Sequence, residues 1–238
     1  MPADTHTALL DLIATLSFRL GDFTLASGQK SDYYIDCRTT TLHAEGGRLS
    51  GLVLYELIRE HIPHAVAVGG LTMGADPLVS ATSIASAAAL ADSIELRALT
   101  AELSQSDPSY VDRPLMDPDS EPEPTLIHGF LVRKAEKAHG TGRRIEGFLH
   151  PGAQVVIVDD VCTTGGSTIT AIEATREAGM HVAGVLCLVD RQQGGRDNIE
   201  RALAEVPPAS DSARTPPFLS VYTAADVRRA HLALKSHA

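Results

Sequence analysis

Cysteine is scarce: Cys37, Cys162 and Cys187 are the whole complement of a 238-residue chain, and no two of them form a C-x-x-C pair. An odd number without ligand-like spacing argues against a disulfide framework and a structural zinc site, and points to a reducing compartment. Long apolar runs are missing as well. The longest, around Ile84–Ala91, is short, rich in alanine and interrupted by Ser86, so no membrane-spanning segment is expected. The opening Met1-Pro2-Ala3-Asp4-Thr5-His6 has neither the basic stretch nor the apolar run of an export signal, and Leu9–Leu20 carries Asp11 and Arg19. A cytoplasmic protein is the expectation. Positive charge is in deficit, with 20 Lys and Arg against 30 Asp and Glu and a net charge of −10. That balance disfavours a nucleic-acid backbone or an anionic membrane as partner. Much of the deficit is local: between Ala101 and Pro124 seven acids face Arg113 alone. A basic, anion-binding cleft elsewhere therefore stays open. Two common nucleotide loops are excluded. No G-x-G-x-x-G occurs, and Gly69 to Gly74, Walker-like in spacing, is followed by Ala75-Asp76 where Lys and Ser or Thr are required.

What is present is an α/β rhythm. Leu9, Leu12, Ile13, Leu16 and Leu20 recur near a 3.6 period, predicting a helix over Asp4–Leu20. Strand-like runs Phe23–Ala26 and Tyr33–Arg38 follow, with a turn between them, then a helix over Glu45–Glu60 stopped by Pro63. Strand Ala65–Val68 runs through Gly69-Gly70 into a helix from about Gly74 or Asp76 to Asp92. The stretch of about 93–125 is acidic and proline-rich, and reads as an exposed, partly disordered insertion. Strand Gly129–Val132, a polar loop Arg133–Pro151, strand Gln154–Val158, helix Ser167–Ala178, strand Val182–Val189, helix Asp197–Ala204, strand Phe218–Val221 and helix Ala224–Leu234 complete the chain. Strands that alternate with helices and are themselves continuous apolar runs predict one domain, a parallel sheet covered by helices on both faces.

The strongest chemical signal is Val155-Val156-Ile157-Val158-Asp159-Asp160-Val161-Cys162-Thr163-Thr164-Gly165-Gly166-Ser167-Thr168. A buried strand ends in two carboxylates, and a hydroxyl- and glycine-rich loop then opens a helix. Loop N–H groups, hydroxyls and a positive helix end suit a phosphate monoester. Carboxylates repel phosphate but suit vicinal hydroxyls or a magnesium ion beside them. The acidic pair alone would fit any parallel strand tip; the Thr/Gly loop is what makes it specific. A second constellation, Arg133-Lys134-Ala135-Glu136-Lys137-Ala138-His139-Gly140-Thr141-Gly142-Arg143-Arg144, gathers five cations and a histidine among glycines. Taken alone it would be a solvated basic loop; beside a phosphate loop it can close over a polyanion and stabilise a charged leaving group.

The strand and loop over Val155–Thr168 closely resemble the 5-phosphoribosyl 1-pyrophosphate (PRPP) motif of type I phosphoribosyltransferases, and R-K-x-x-K-x-H-G upstream resembles orotate phosphoribosyltransferases in particular. Two further stretches are similar to that family. Phe23-Thr24-Leu25-Ala26-Ser27-Gly28-Gln29-Lys30-Ser31-Asp32-Tyr33-Tyr34-Ile35-Asp36 resembles its N-terminal hood over the base, and Leu188-Val189-Asp190-Arg191 its strand-end arginine. Ala26 and Met73 stand where many members carry Lys.

The resemblance implies a type I phosphoribosyltransferase fold with a hood from about 1–40 and a C-terminal part. It implies Mg²⁺-dependent transfer of 5-phosphoribosyl from PRPP to orotate, giving orotidine 5′-monophosphate and pyrophosphate in pyrimidine (UMP) synthesis. Lys137, His139 and Asp160 are the expected catalytic residues. PRPP would be held by Arg133, Lys134, Lys137, His139, Asp159, Asp160, Val161, Cys162, Thr163, Thr164, Gly165, Gly166, Ser167 and Thr168. Thr72 and Met73 join them through a strained or cis peptide in the Leu71–Thr72 region. Thr163, Arg191, Tyr33 and Tyr34 would meet orotate, Arg191 as a bidentate fork on its carboxylate. Magnesium would be held mainly through PRPP without a direct protein ligand, and a homodimer would share its active sites. The alternatives are a phosphoribosyltransferase for another base and a non-catalytic PRPP-sensing regulator. Arg191 and the hood speak against the first; the retained loop cations and the lack of a basic appended domain speak against the second.

Overall fold

The computed structural model describes residues 4–24, 30–106, 123–134, 144–205 and 215–236. Helix α1 (Thr5–Leu12) passes into a π-helical turn over Ile13–Ser17 and then into β1 (Phe18–Thr24). The predicted helix therefore stops short of Leu20. Phe18, Arg19 and Leu20 pair instead with Ile35, Tyr34 and Tyr33 of β2 (Lys30–Ile35) in a two-stranded antiparallel sheet, and ladder bonds override the local period. Helices α2 (Arg38–Thr41) and α3 (Ala44–His61) follow, then β3 (Ala67–Leu71) and α4 (Asp76–Ser106).

Helix α4 runs past Asp92 into the stretch expected to be an insertion. Leu96, Arg97, Ala98, Leu99 and Glu102 are strong helix formers, and the first proline of that stretch, Pro108, comes only after the helix ends. By length and composition alone Asp76–Thr100 is apolar enough to cross a membrane, although the sequence window suggested no such segment. Its first half is packed into the domain, with Leu78, Val79, Thr82, Ala85 and Ser86 buried. The most acidic part of the insertion, residues 107–122, lies outside the described residues.

The remaining elements are β4 (His128–Val132), β5 (Ile145–Gly147), β6 (Gln154–Cys162), α5 (Gly166–Glu177), β7 (His181–Asp190), α6 (Gly195–Ala204), β8 (Phe218–Thr223) and α7 (Ala224–Ser236). The large sheet has six strands in the order β5-β4-β3-β6-β7-β8. Its pairs are parallel except β5 on β4. Strand β5 was expected to be loop. It has three residues, of which only Ile145 is buried, too short for an alternating pattern to register.

The two-residue period of a strand explains why β6 is apolar throughout. Val156 and Val158 enter one core with Val68, Leu186, Leu54 and Leu78; Val155 and Ile157 enter the other with Val185, Ile172 and Ile199. Each fully buried aliphatic side chain contributes about 1.5–3 kcal/mol, so both helical layers are anchored on this strand. Helix α7 returns to the N-terminal elements: the His231 ring nitrogen Nδ1 lies 2.7 Å from the Ala14 carbonyl, and the Tyr222 hydroxyl donates to the His6 carbonyl at 2.6 Å.

Candidate active site

The carboxyl ends of β3, β4, β6 and β7 converge on one edge of the sheet, where ligands bind in open α/β folds. An open cavity of about 640 Å³ lies there, lined by the β3 turn, the β2–α2 segment, Arg133 and Lys134, the tip of β6, and Ser167 of α5.

Strand alternation sends the twin acids to opposite flanks. Asp159 continues the Val155–Ile157 side and accepts a 2.7 Å hydrogen bond from the Thr168 hydroxyl on α5. Asp160 faces the other way: a Cβ built on Gly74 would stand 2.5 Å from its Oδ1. Burial is the main force pushing both carboxyls above the usual range. The neighbouring Asp160 charge adds to the effect at Asp159, while the Val161 N–H and the Arg38 charge oppose it at Asp160. Such acids gain from hydroxyl donors or a cation.

After β6 the chain turns at Gly165, whose φ of 80° favours glycine, into α5. No side chain caps that helix, which leaves N–H groups for an external acceptor. The turn is buttressed by α6: Asn198 Nδ2 donates to the Thr164 carbonyl at 3.0 Å, and Gly195 packs so tightly that a Cβ would meet Cys162 Sγ at 2.4 Å and the Thr163 carbonyl at 2.7 Å.

Of the predicted residues, Tyr34, Thr72, Met73, Arg133, Lys134, Asp159, Asp160, Val161 and Ser167 line the cavity. Thr163, Thr164, Gly165 and Gly166 form the adjoining turn. Cys162 does not face the cavity. Its side chain is buried, its N–H meets Cys187 Sγ and its carbonyl accepts from the Arg191 N–H, so it supports the turn. Thr168 is likewise buried and orients Asp159. The cis peptide is Thr72–Met73, one bond beyond the expected place. Lys137 and His139 lie outside the described residues, as does Ala26.

Arg191 is 6% exposed, stacks over the Tyr33 ring at 4.8 Å, and donates through Nη2 to Ser31 Oγ at 3.3 Å. Its Nε has no hydrogen-bond partner, and among the described residues no carboxylate pairs with it. A buried guanidinium with an orphan donor calls for an acceptor, and Arg191 lies behind the residues that line the cavity, not among them. Tyr33, sandwiched between Arg191 and the Phe18 ring, supports that guanidinium and is absent from the cavity wall.

Sequence reasoning missed Asp36 and Arg38, which also line the cavity. Their signal was an acid and a base two residues apart at the end of a strand-like run. The Arg38 fork grips Asp36 through Nε–Oδ1 at 2.8 Å and Nη2–Oδ2 at 2.7 Å, which holds the Asp36 carboxyl below its ordinary range.

Comparison with known proteins bears on this geometry. A phosphoribosyl transferase domain model matches residues 131–203. The orotate phosphoribosyltransferase of Aquifex aeolicus strain VF5 is 40% identical over 196 residues, 81% of this chain and 87% of its own. The structure of Mycobacterium tuberculosis H37Rv orotate phosphoribosyltransferase with Fe(III) dicitrate aligns with a TM-score of 0.64 at 32% identity, covering 94% of this chain and 99% of that one. The same enzyme in complex with PRPP aligns with a TM-score of 0.61 at 28% identity, covering 94% and 99%.

Proposed function

Since the chain belongs to the orotate phosphoribosyltransferase family, we propose that its cavity binds PRPP and orotate and transfers the 5-phosphoribosyl group to N1 of the base, releasing pyrophosphate. The observation that carries this is the corner of β6 and α5: two buried acids on opposite flanks of a strand tip, beside an uncapped helix start. The ribose hydroxyls lie on Asp159 and Asp160, and the 5′-phosphate lies on the turn from Thr163 to Ser167. Arg133, Lys134, Lys137 and His139 meet the diphosphate. The orotate carboxylate takes the free Nε of Arg191, with Tyr33 holding that guanidinium from behind and Tyr34 on the cavity side.

Bond breaking to diphosphate runs ahead of bond making to the base. The protein's task is then to align the two partners and favour the charge that builds on the leaving group. Magnesium fits these residues. The described ones gather no three His, Cys, Asp or Glu into a protein-made site, and Mg²⁺ commonly sits on substrate phosphates beside one or two carboxylates. Held mainly through PRPP with Asp159 and Asp160 alongside, it would neutralise diphosphate charge. The free, buried cysteines suit the reducing cytoplasm, and the active unit in this reading is a homodimer with shared sites.

The test is a panel of bases offered with PRPP and magnesium, read by pyrophosphate release. Release with orotate and not with purines or uracil is expected. Release with a purine instead would move the protein to another base, and PRPP binding without release under any base would favour the regulator.

A further inference from the structure

The cavity wall holds three carboxylates, Asp36, Asp159 and Asp160, against three described cations, Arg38, Arg133 and Lys134. Arg133 shares its charge with Glu146 at 3.3 Å, and Met73, on the β3 turn, is exposed and uncharged. A polyanionic donor entering this wall needs a cation that does not have to be ordered first.

Arg38 meets that need. The fork on Asp36, together with the Arg38 N–H donating to Asp36 Oδ1 at 3.1 Å, fixes the guanidinium plane and uses Nε and Nη2. Nη1 has no hydrogen-bond partner among the described residues, and the side chain is 45% exposed. The segment beneath is tied down: the Asp36 N–H donates to the Ser17 carbonyl at 3.0 Å, and Ser17 Oγ lies 2.8 Å and 2.6 Å from the hydroxyls of Thr39 and Thr40. A planar fork immobilised in this way loses little side-chain freedom when it takes a phosphate oxygen.

The side of β6 decides which phosphate. Asp159 turns toward α5 and its loop, whereas Asp160 turns toward Gly74, and the Arg38 charge acts on Asp160. With the 5′-phosphate on the α5 side, the diphosphate arm falls on the flank of Asp160, Thr72, Met73 and Arg38. We propose that Arg38, clamped by Asp36, is a fixed diphosphate-binding residue of this site. The inference rests on PRPP as the donor.

The experiment is steady-state kinetics on the full chain and its Arg38→Gln, Arg38→Lys and Asp36→Asn variants, with orotate, PRPP and pyrophosphate as product inhibitor. For Arg38→Gln, the KM for PRPP and the inhibition constant for pyrophosphate should each rise about tenfold, the scale of one charge-assisted contact, with the orotate KM within about twofold of wild type. Arg38→Lys should recover only part of the loss, because it keeps the charge without the fork, and Asp36→Asn should fall between. Unchanged PRPP and pyrophosphate constants in Arg38→Gln overturn the inference, as does an orotate KM that rises in step with them. If Arg38→Gln does not fold, Arg38→Lys decides by the same constants. Wild-type protein that turns over no orotate sinks the donor reading, and this inference with it; an active wild type with an indifferent Arg38 sinks the inference alone.

Discussion

Asp159 and Asp160 hold protons more tightly than free carboxylates, first because their tip of β6 is buried, and then because the Asp160 charge acts on Asp159 and the Asp36 charge on Asp160. As pH rises above about 4, the usual carboxylate value, the unfolded chain releases protons that the folded state still binds, so ionising the pair destabilises the fold at neutral pH. Asp160→Asn removes one of these charges and keeps an oxygen for the Val161 N–H. Its melting temperature should rise by about 2–4 °C near pH 7.5, for about 1 kcal/mol gained. The gain should fade toward pH 4, where the wild-type acid is protonated too, while turnover falls about tenfold or more through loss of a charged hydrogen bond to ribose. Calorimetry across pH reads this, and a lower melting temperature at pH 7.5 would count against the burial argument. In the proposed reading Arg191 serves orotate and not PRPP. Arg191→Ala should raise the orotate KM about tenfold to a hundredfold and leave the KM for PRPP within about twofold. A parallel loss of PRPP affinity would show that the Arg191 side chain, through its contacts with Tyr33 and Ser31, supports the site as a whole instead of one substrate. The twin acids were legible in the sequence because a hydroxyl- and glycine-rich loop, Thr163 to Ser167, follows them directly and marks the strand tip as a phosphate site. Asp36 and Arg38 were not, because an acid and a base two residues apart become a clamp only once β1 and β2 pair.

The turn between β6 and α5 depends on α6. Gly195→Ala would drive a methyl into Cys162 Sγ and the Thr163 carbonyl. It should lower the melting temperature by several degrees, on the scale of about 1–3 kcal/mol for overpacking, and weaken PRPP binding more than its distance from the acids suggests. Thermal melts with and without PRPP measure both, and a variant with wild-type values in each would show that the turn stands unaided. The strands and helices of the α/β layers were readable because their apolar residues fall on both faces of strands and one face of helices. Three elements were not. The end of the first helix was hidden because pairing of Phe18 to Leu20 with β2 outweighs their helical spacing. The length of α4 was hidden because acidity and nearby prolines masked good helix formers. Strand β5 was hidden because its pairing with β4 lies in the fold and not in its three residues.

Across the whole molecule, a net charge of −10 coexists with a site for a polyanion because charge is judged locally: Arg38, Arg133 and Lys134 face the cavity. The parallel sheet brings the ends of β3, β4, β6 and β7 together, although in the sequence Leu71 and Asp190 lie 119 residues apart. The N-terminal hairpin reaches the same edge because β7 delivers Arg191 under Tyr33 and Ser31. In the proposed reading that convergence serves both substrates, and its most direct measurement is orotate absorbance in the presence of PRPP and magnesium. A steady loss that needs both additions and slows about tenfold or more in the Asp160→Asn and Arg191→Ala variants at limiting substrate is the predicted result. Orotate left unconsumed by folded protein saturated with PRPP would contradict the account.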